Sequence, residues 1–276
     1  METKDYIVDT KNYFEEEYKI PVKRIRDTPF HIGSEVSFPQ GSRHVWTPPT
    51  EKTTCPVQKK TRAGTLWETK LNKLMASLSD KDKFAVDIGS NIGVHAVSMR
   101  DFSKGIIAVE PQKAIFKGLK KTMKHNFPDG NNYLFNDLLS DTSGEEVVFY
   151  QDNTGRSRIP IEGEKYQSGH WEKVTKKTRE FDDIVEEVEG KLKEPIKIGL
   201  MKIDVEGHEF PVLRGASKTI SKHRPIILIE VFDKNKEQLE KWVQENKYNL
   251  ESISKVGDYI LRPIRKIKIK KKDDTK

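Results

Sequence analysis

Short apolar runs separated by helix-length amphipathic segments leave this chain very few architectures. The runs are Phe84 to Ile88, Gly105 to Val109, Tyr133 to Leu139, Ile198 to Ile203 and Ile226 to Val231. Strands that are hydrophobic along their whole length are buried on both faces, as in a parallel sheet covered by helices on either side. The expected fold class is therefore α/β, with a doubly wound sheet. A helix leading into it is expected over Thr65 to Leu78, where Leu66, Leu71, Leu74, Met75 and Leu78 recur at helical spacing.

The flanks read differently. Residues 1–65 lack sustained periodicity and carry Pro39, Gly41, Pro48, Pro49 and Pro56, with β-prone pieces such as His44 to Thr47 between them, and are read as an N-terminal arm or cap. The core domain is placed at 66–263 and a basic C-terminal tail at 264–276. Within the domain, Gly144 to Asp183 is polar and glycine-bearing, including Asp152-Asn153-Thr154-Gly155-Arg156-Ser157. A connection of that length is expected to be a functional lid or loosely ordered.

Charge excludes less than its total implies. The net charge is +7, but residues 262–276 hold eight Lys or Arg against two Asp, and the rest of the chain is near neutral. A groove that tracks phosphates is not demanded, and the tail reads as a solvated end. Cys55 is the only cysteine, which rules out an intrachain disulfide, a cysteine zinc site and a CxxC redox pair. With no apolar run long enough to span a bilayer and no leader-like start, the expectation is a cytoplasmic protein without a transmembrane segment.

The first run ends in Val86-Asp87-Ile88-Gly89-Ser90-Asn91-Ile92-Gly93, and a helix is expected from near Val94. Glycines there let the backbone turn tightly and approach a ligand at the carboxyl edge of the sheet. The spacing is not the G-x-G-x-x-G of a dinucleotide site. Asp87 would repel a pyrophosphate, yet it suits a ligand bearing an ammonium and a sulfonium. Glu110, ending the second run, is placed to accept the hydroxyl protons of a ribose, which supports a nucleoside without choosing among nucleosides.

The segment Leu200-Met201-Lys202-Ile203-Asp204-Val205-Glu206-Gly207-His208-Glu209 starts as a buried strand and ends as a dense polar cluster. Lys202 and Asp204 share one face of an extended chain. Three acids within six residues repel one another unless a cation, a basic side chain or the substrate offsets them. Glu209 reads as an ordinary helix N-terminal acid.

These segments, together with Phe181-Asp182-Asp183-Ile184, Val212-Leu213-Arg214-Gly215-Ala216 and Pro225-Ile226-Ile227-Leu228-Ile229-Glu230, resemble in order the FkbM-type methyltransferases over roughly residues 66–232. The resemblance implies a Rossmann-like class I methyltransferase sheet of seven mostly parallel strands that binds S-adenosylmethionine. It places Asp87, Gly89 and Gly93 by the methionine part, Glu110 on the ribose, and Asn136 and Asp137 by the adenine. Glu68, from the aromatic-Glu pair Trp67-Glu68, joins the cofactor set with Asn91 and Asp204. Ser90 stands where many members have Ala, and neither the first 60 residues nor the Lys-rich tail belongs to the pattern.

Methyl transfer from a sulfonium is an in-line displacement, so alignment is the chief requirement. A sugar or ribose hydroxyl is a poor nucleophile, and a base that takes its proton contributes roughly 10²-fold to 10⁴-fold. Asp204 or Glu206 is the expected base, with His208 next. Glu230 is expected to orient the acceptor or to hold a divalent cation such as Mg²⁺. His95 is left out of the site. The leading expectation is O-methylation of a carbohydrate or similar hydroxylated metabolite. A ribose 2′-O-methyltransferase acting on RNA is the alternative raised by Lys202, Asp204, Glu230 and the basic tail. A non-catalytic protein using that tail on nucleic acid or an anionic membrane is the third.

Overall fold

The structure is a computed structural model and describes residues 24–28, 31–48, 55–152, 157–160, 171–254 and 257–264. Three antiparallel strands come first: β1 (Arg24–Thr28), β2 (His31–Phe38) and β3 (Gly41–Thr47). Helices α1 (Pro56–Arg62) and α2 (Thr69–Leu78) lead into the main sheet. The second helix starts four residues later than its apolar spacing implies, because Glu68 sits in the left-handed region at φ 47° and ends the preceding turn.

Alternation of strand and helix then builds the core: β4 (Phe84–Ile88), α3 (Val94–Arg100), β5 (Gly105–Val109), α4 (Lys113–Asn126) and β6 (Asn132–Phe135). After β7 (Leu138–Leu139), β8 (Glu146–Gln151), β9 (Glu172–Arg179) and α5 (Phe181–Leu192), it resumes with β10 (Ile198–Ile203), α6 (Glu209–Gly215), α7 (Ser217–His223) and β11 (Ile226–Glu230). Helix α8 (Lys236–Asn246) and strands β12 (Tyr248–Ser252) and β13 (Asp258–Pro263) complete it.

The main sheet has seven strands in the order β12-β13-β11-β10-β4-β5-β6. Its pairings are parallel from β11 through β6, and β13 alone runs against its neighbours. From β4 the chain winds outward to β5 and β6, then returns and winds the other way through β10 and β11. The order therefore reverses between β4 and β10, and the crevice beyond the carboxyl ends of those two strands is where such a sheet receives a ligand.

Both faces of the sheet are covered, which is why its central strands are predominantly apolar. Val86, Ile107, Met201 and Ile229 face α5 to α8 with Phe181, Ile184, Leu213 and Leu239, while Ala85, Ile106, Leu200 and Leu228 face α2 to α4 with Met75, Val97 and Leu119. Each large apolar side chain so removed from water stabilises the fold by roughly 1.5–3 kcal/mol. Val36, Phe38 and Val45 of β2 and β3 enter the second cluster. The Trp46 amide donates to Thr122 Oγ1 at 3.0 Å and Asn126 Nδ2 to the His44 carbonyl at 2.7 Å, so this hairpin is fastened to α4.

Two segments differ from their sequence-based expectation. The run Tyr133 to Leu139 is broken at Asn136, whose side-chain amide turns away to the carbonyls of Glu110 and Pro111 at 2.8 and 3.0 Å. The polar stretch after Gly144 contains a strand pair, β8 against β9, and β9 is joined through Leu138 and Leu139 to the end of β6. Asn153 and Arg156, expected in a lid, lie outside the described residues, as do most of the tail and residues 1–23.

Candidate functional site

The carboxyl ends of β4, β5, β10 and β11 open into one cavity of about 330 Å³, within the range of small-molecule sites. Glu68, Gly89, Asn91, Glu110, Asp137, Asp204, Glu206, His208 and Glu230 all line it. Asp87 and Lys202 are buried at 0% and 4% exposure, and Gly93 caps α3 with φ 91°. Asn136 is not on the wall: its amide holds the turn after β5. Asp137 is on the wall, 3.2 Å from Arg179.

Gly89 is dictated by crowding as well as by its φ of 81°. A β-carbon there would meet the Asp204 carbonyl oxygen at 1.8 Å. The neighbouring turn is held by Glu110, whose two oxygens accept the amides of Asn91 at 3.0 Å and Gln112 at 2.8 Å. Burial pushes the Glu110 carboxyl up to about 7 despite those two amides.

Next to that turn lies a buried charge cluster. Asp87 and Lys202 are register partners on neighbouring strands, and neither carboxylate oxygen of Asp87 has a hydrogen-bond partner. Burial raises the Asp87 carboxyl, and Lys202 and His95 oppose that rise. Lys202 Nζ lies 2.8 Å from Asp204 Oδ2, as the shared strand face implied. Burial works against the Lys202 charge, yet Asp204 and Asp87 together hold its ammonium above the usual lysine range.

Asp204 is hydrogen-bonded in turn to Glu230, and the two titrate as a pair. Burial opposes ionisation of Asp204, but Lys202 outweighs it and holds the carboxyl below its ordinary value. Burial and the Asp204 charge push Glu230 up to about 9. At neutral pH the pair therefore shares one proton.

Four further polar groups lie on the wall. Glu206, at φ 57°, lies 3.5 Å from the Arg158 guanidinium. His208 Nε2 is 3.0 Å from Ser140 Oγ, and burial holds its imidazole below the ordinary histidine value against the pull of Asp141. His95, passed over in the sequence, is on the wall with Nε2 3.1 Å from Glu68. Arg158 was likewise missed, because no spacing rule links a residue after β8 to the end of β10. Glu209 faces its own loop, accepting the Gly207 amide at 2.9 Å. Among the described residues no three His, Cys, Asp or Glu side chains gather in a way that could hold a metal ion, so the divalent cation considered for Glu230 lacks a ligand set there.

Other motif residues prove to be architectural. Asp182 caps α7, accepting the amides of Lys218 at 2.9 Å and Thr219 at 2.8 Å. At Gly215 a β-carbon would meet the Ser140 carbonyl oxygen at 2.0 Å, so the α6–α7 corner packs against the end of β7 only with glycine.

Comparison with known proteins finds methyltransferases among similar chains. The chain is 28% identical over 145 residues to "Methyltransferase 1" of Beauveria bassiana, covering 49% of this chain and 58% of that one. It is 27% identical over 160 residues to the "Hexuronic acid methyltransferase AglP" of Haloferax volcanii, covering 56% and 59%. It thus spans less than two thirds of the length of either relative. A crystal structure of a methyltransferase FkbM from Methylobacillus flagellatus aligns with TM-score 0.44 at 17% identity, over 66% of this chain and 44% of that one. The methyltransferase FkbM domain matches residues 87–250, more than half the chain, from the end of β4 into β12 and including both polar turns. The chain belongs to the methyltransferase FkbM domain family.

Proposed function

We propose that this chain transfers the methyl group of S-adenosylmethionine to a hydroxyl oxygen of a carbohydrate or similar hydroxylated metabolite. One observation carries the reading. The Gly89–Asn91 turn and the Asp204–His208 turn meet where the strand order reverses, and they line one cavity whose acidic wall is completed by Glu68, Glu110, Asp137 and Glu230. Acids at that edge repel a pyrophosphate and suit a ligand with an ammonium and a sulfonium, and Asp87 lies buried behind the Gly89 turn with Lys202 as its counter-charge. Glu68, Asp87, Gly89, Asn91 and Gly93 would hold its methionine part, Glu110 its ribose, and Asp137 would lie toward its base.

S-adenosylmethionine supplies a methyl group on a positively charged sulfur. The protein's task is then to orient the acceptor and remove one proton. Asp204 is the proposed base: it lines the cavity, and Lys202 keeps it ionised. Its lowered pKa makes it a weak base, so the hydroxyl proton moves as the carbon–oxygen bond forms rather than beforehand. Glu230 donates a hydrogen bond to Asp204 and fixes its plane. Glu206 and His208 flank the acceptor, and Lys202 acts through Asp204 as a positioning residue.

The name of the Haloferax volcanii relative makes sugars, and acidic sugars among them, the first acceptors to try. S-adenosylmethionine, S-adenosylhomocysteine and NAD should be titrated separately by calorimetry, followed by methyl-transfer assays with a panel of sugars and then RNA. Micromolar binding of the first two alone, with methyl transfer to a sugar, is the expected result. Binding of NAD alone, or transfer to RNA and to no sugar, would overturn the reading. A 1–65 cap and a separate basic tail remain part of the proposal, and the tail bears on the RNA arm.

A further inference from the structure

The acidic wall has one strong cation that the proposed reaction does not use. Six carboxyl side chains line the cavity, from Glu68, Glu110, Asp137, Asp204, Glu206 and Glu230, and among the described lining residues Arg158 is the only Lys or Arg. It is held in place rather than left to swing. Its backbone is paired with Tyr150 by reciprocal hydrogen bonds of 2.9 Å, which extend the β8 side of the small sheet. The preceding residue, Ser157, donates to Gln112 Oε1 at 3.1 Å, and the guanidinium lies 5.9 Å from the centre of the Trp171 ring. The side chain is only 15% exposed.

From this placing we infer that Arg158 is a specificity residue that takes a carboxylate group of the acceptor, making the substrate class an acidic sugar. The inference rests on the sugar-methyltransferase reading above and narrows it. A guanidinium matches a carboxylate in a two-pronged geometry that a lysine cannot reproduce, and charge-assisted bonds of this kind are about 2.7–2.9 Å long. Arg158 lies 3.5 Å from Glu206, a longer contact. A substrate carboxylate that reaches bonding distance competes with Glu206 for the guanidinium, so Glu206 serves as a stand-in for it in the free protein. An acidic ligand could otherwise enter this wall only against six carboxyl groups. A neutral sugar has no use for the arginine, and the cavity then discriminates between two acceptors that differ only at one carbon.

The test compares methyl glucuronoside with methyl glucoside in two measurements on the full chain saturated with S-adenosylhomocysteine or S-adenosylmethionine: binding by calorimetry, and methyl transfer. The wild type is expected to bind the glucuronoside at least tenfold more tightly. R158Q should reduce that preference by tenfold or more, R158K should restore only part of it, and E206Q should strengthen glucuronoside binding. S-adenosylhomocysteine affinity serves as the folding control for every variant. A preference for the acidic glycoside that survives R158Q, no preference in the wild type, or weaker glucuronoside binding in E206Q would each overturn the assignment. Methyl transfer to both glycosides without the expected preference would overturn the Arg158 assignment alone, whereas binding that follows the expected pattern without methyl transfer to either glycoside would overturn the sugar-methylation reading and the acceptor role with it, so the two failures are separable.

Discussion

Gly89 and Asp204 come from turns more than a hundred residues apart, yet a β-carbon on Gly89 would stand 1.8 Å from the Asp204 carbonyl oxygen. The obstacle is backbone, which cannot rotate aside as a side-chain tip can. Gly89→Ala would also force an L-residue to φ 81°. The expected outcome is a lower melting temperature together with loss of S-adenosylhomocysteine binding, read by thermal denaturation and calorimetry. A variant with wild-type affinity would show that the two turns are not jointly required.

Lys202 is the counter-charge for the buried Asp87 and the half-buried Asp204. Replacing it with Met keeps much of the volume and leaves Asp204 and Asp87 without it. Removing one partner of a buried ion pair typically costs about 3–5 kcal/mol. K202M should therefore unfold at clearly lower denaturant concentration, and the double variant K202M/D204N should recover part of the loss because one orphaned charge is removed with the other. Equal stability of the two variants would place the main interaction elsewhere.

The Asp204–Glu230 pair makes a pH prediction with a definite sign. Glu230 keeps its proton up to about 9 in the folded state, against an ordinary value of 4.5 in an unfolded chain. The folded state binds the extra proton between those limits, so this group's contribution is complete below pH 4.5 and is lost progressively as pH rises to about 9. E230Q retains a donor toward Asp204 and cannot ionise, so it should flatten the decline in stability between pH 6 and 9. Parallel wild-type and variant curves in a melting-temperature series would refute the shared proton.

Glu110 should control cofactor affinity in the neutral range. Its carboxyl is held near 7 by burial, against the two amides that favour its charge. A ribose that donates hydroxyl protons to it prefers the ionised form, so affinity for S-adenosylhomocysteine should rise as pH passes from 6 to 8 and then level off. E110Q should bind more weakly and lose that rise, and D87A should lose binding while staying folded. If D87A and E110A both kept wild-type affinity, the assignment of the cofactor turn would fall.

At Gly118 in α4, a β-carbon would come within 2.7 Å of the Trp46 carbonyl oxygen. Alanine is ordinarily favoured over glycine inside a helix by about 0.5–1 kcal/mol. Here the clash with backbone should dominate, since overpacking costs roughly 1–3 kcal/mol. G118A is expected to destabilise the protein in denaturant melts. Stabilisation would mean that β3 packs less tightly on α4 than described.

How much of this was legible in the residues follows from the range of the forces involved. Strands β4, β5 and β10 begin and end where their apolar runs do, because burial on both faces favours hydrophobic side chains along the run, with Asp87 and Lys202 the charged exceptions near the carboxyl ends. Helix α3 begins at Val94 for an equally local reason, the left-handed glycine before it. The pairing of Lys202 with Asp204 was readable too, since two residues along a strand share a face. Asn136 could not be assigned from the sequence, because whether its amide meets a ligand or the Glu110 carbonyl depends on the bend after β5. His95 and Arg158 became wall residues only when separate elements met, and Arg158 reaches Glu206 across 48 positions of chain. Local pattern and burial determined the strands, the sheet and the acidic turns. The tertiary structure alone decided which charges from separate elements face one another, because Coulomb attraction and desolvation depend on distances through space that no spacing along the chain records.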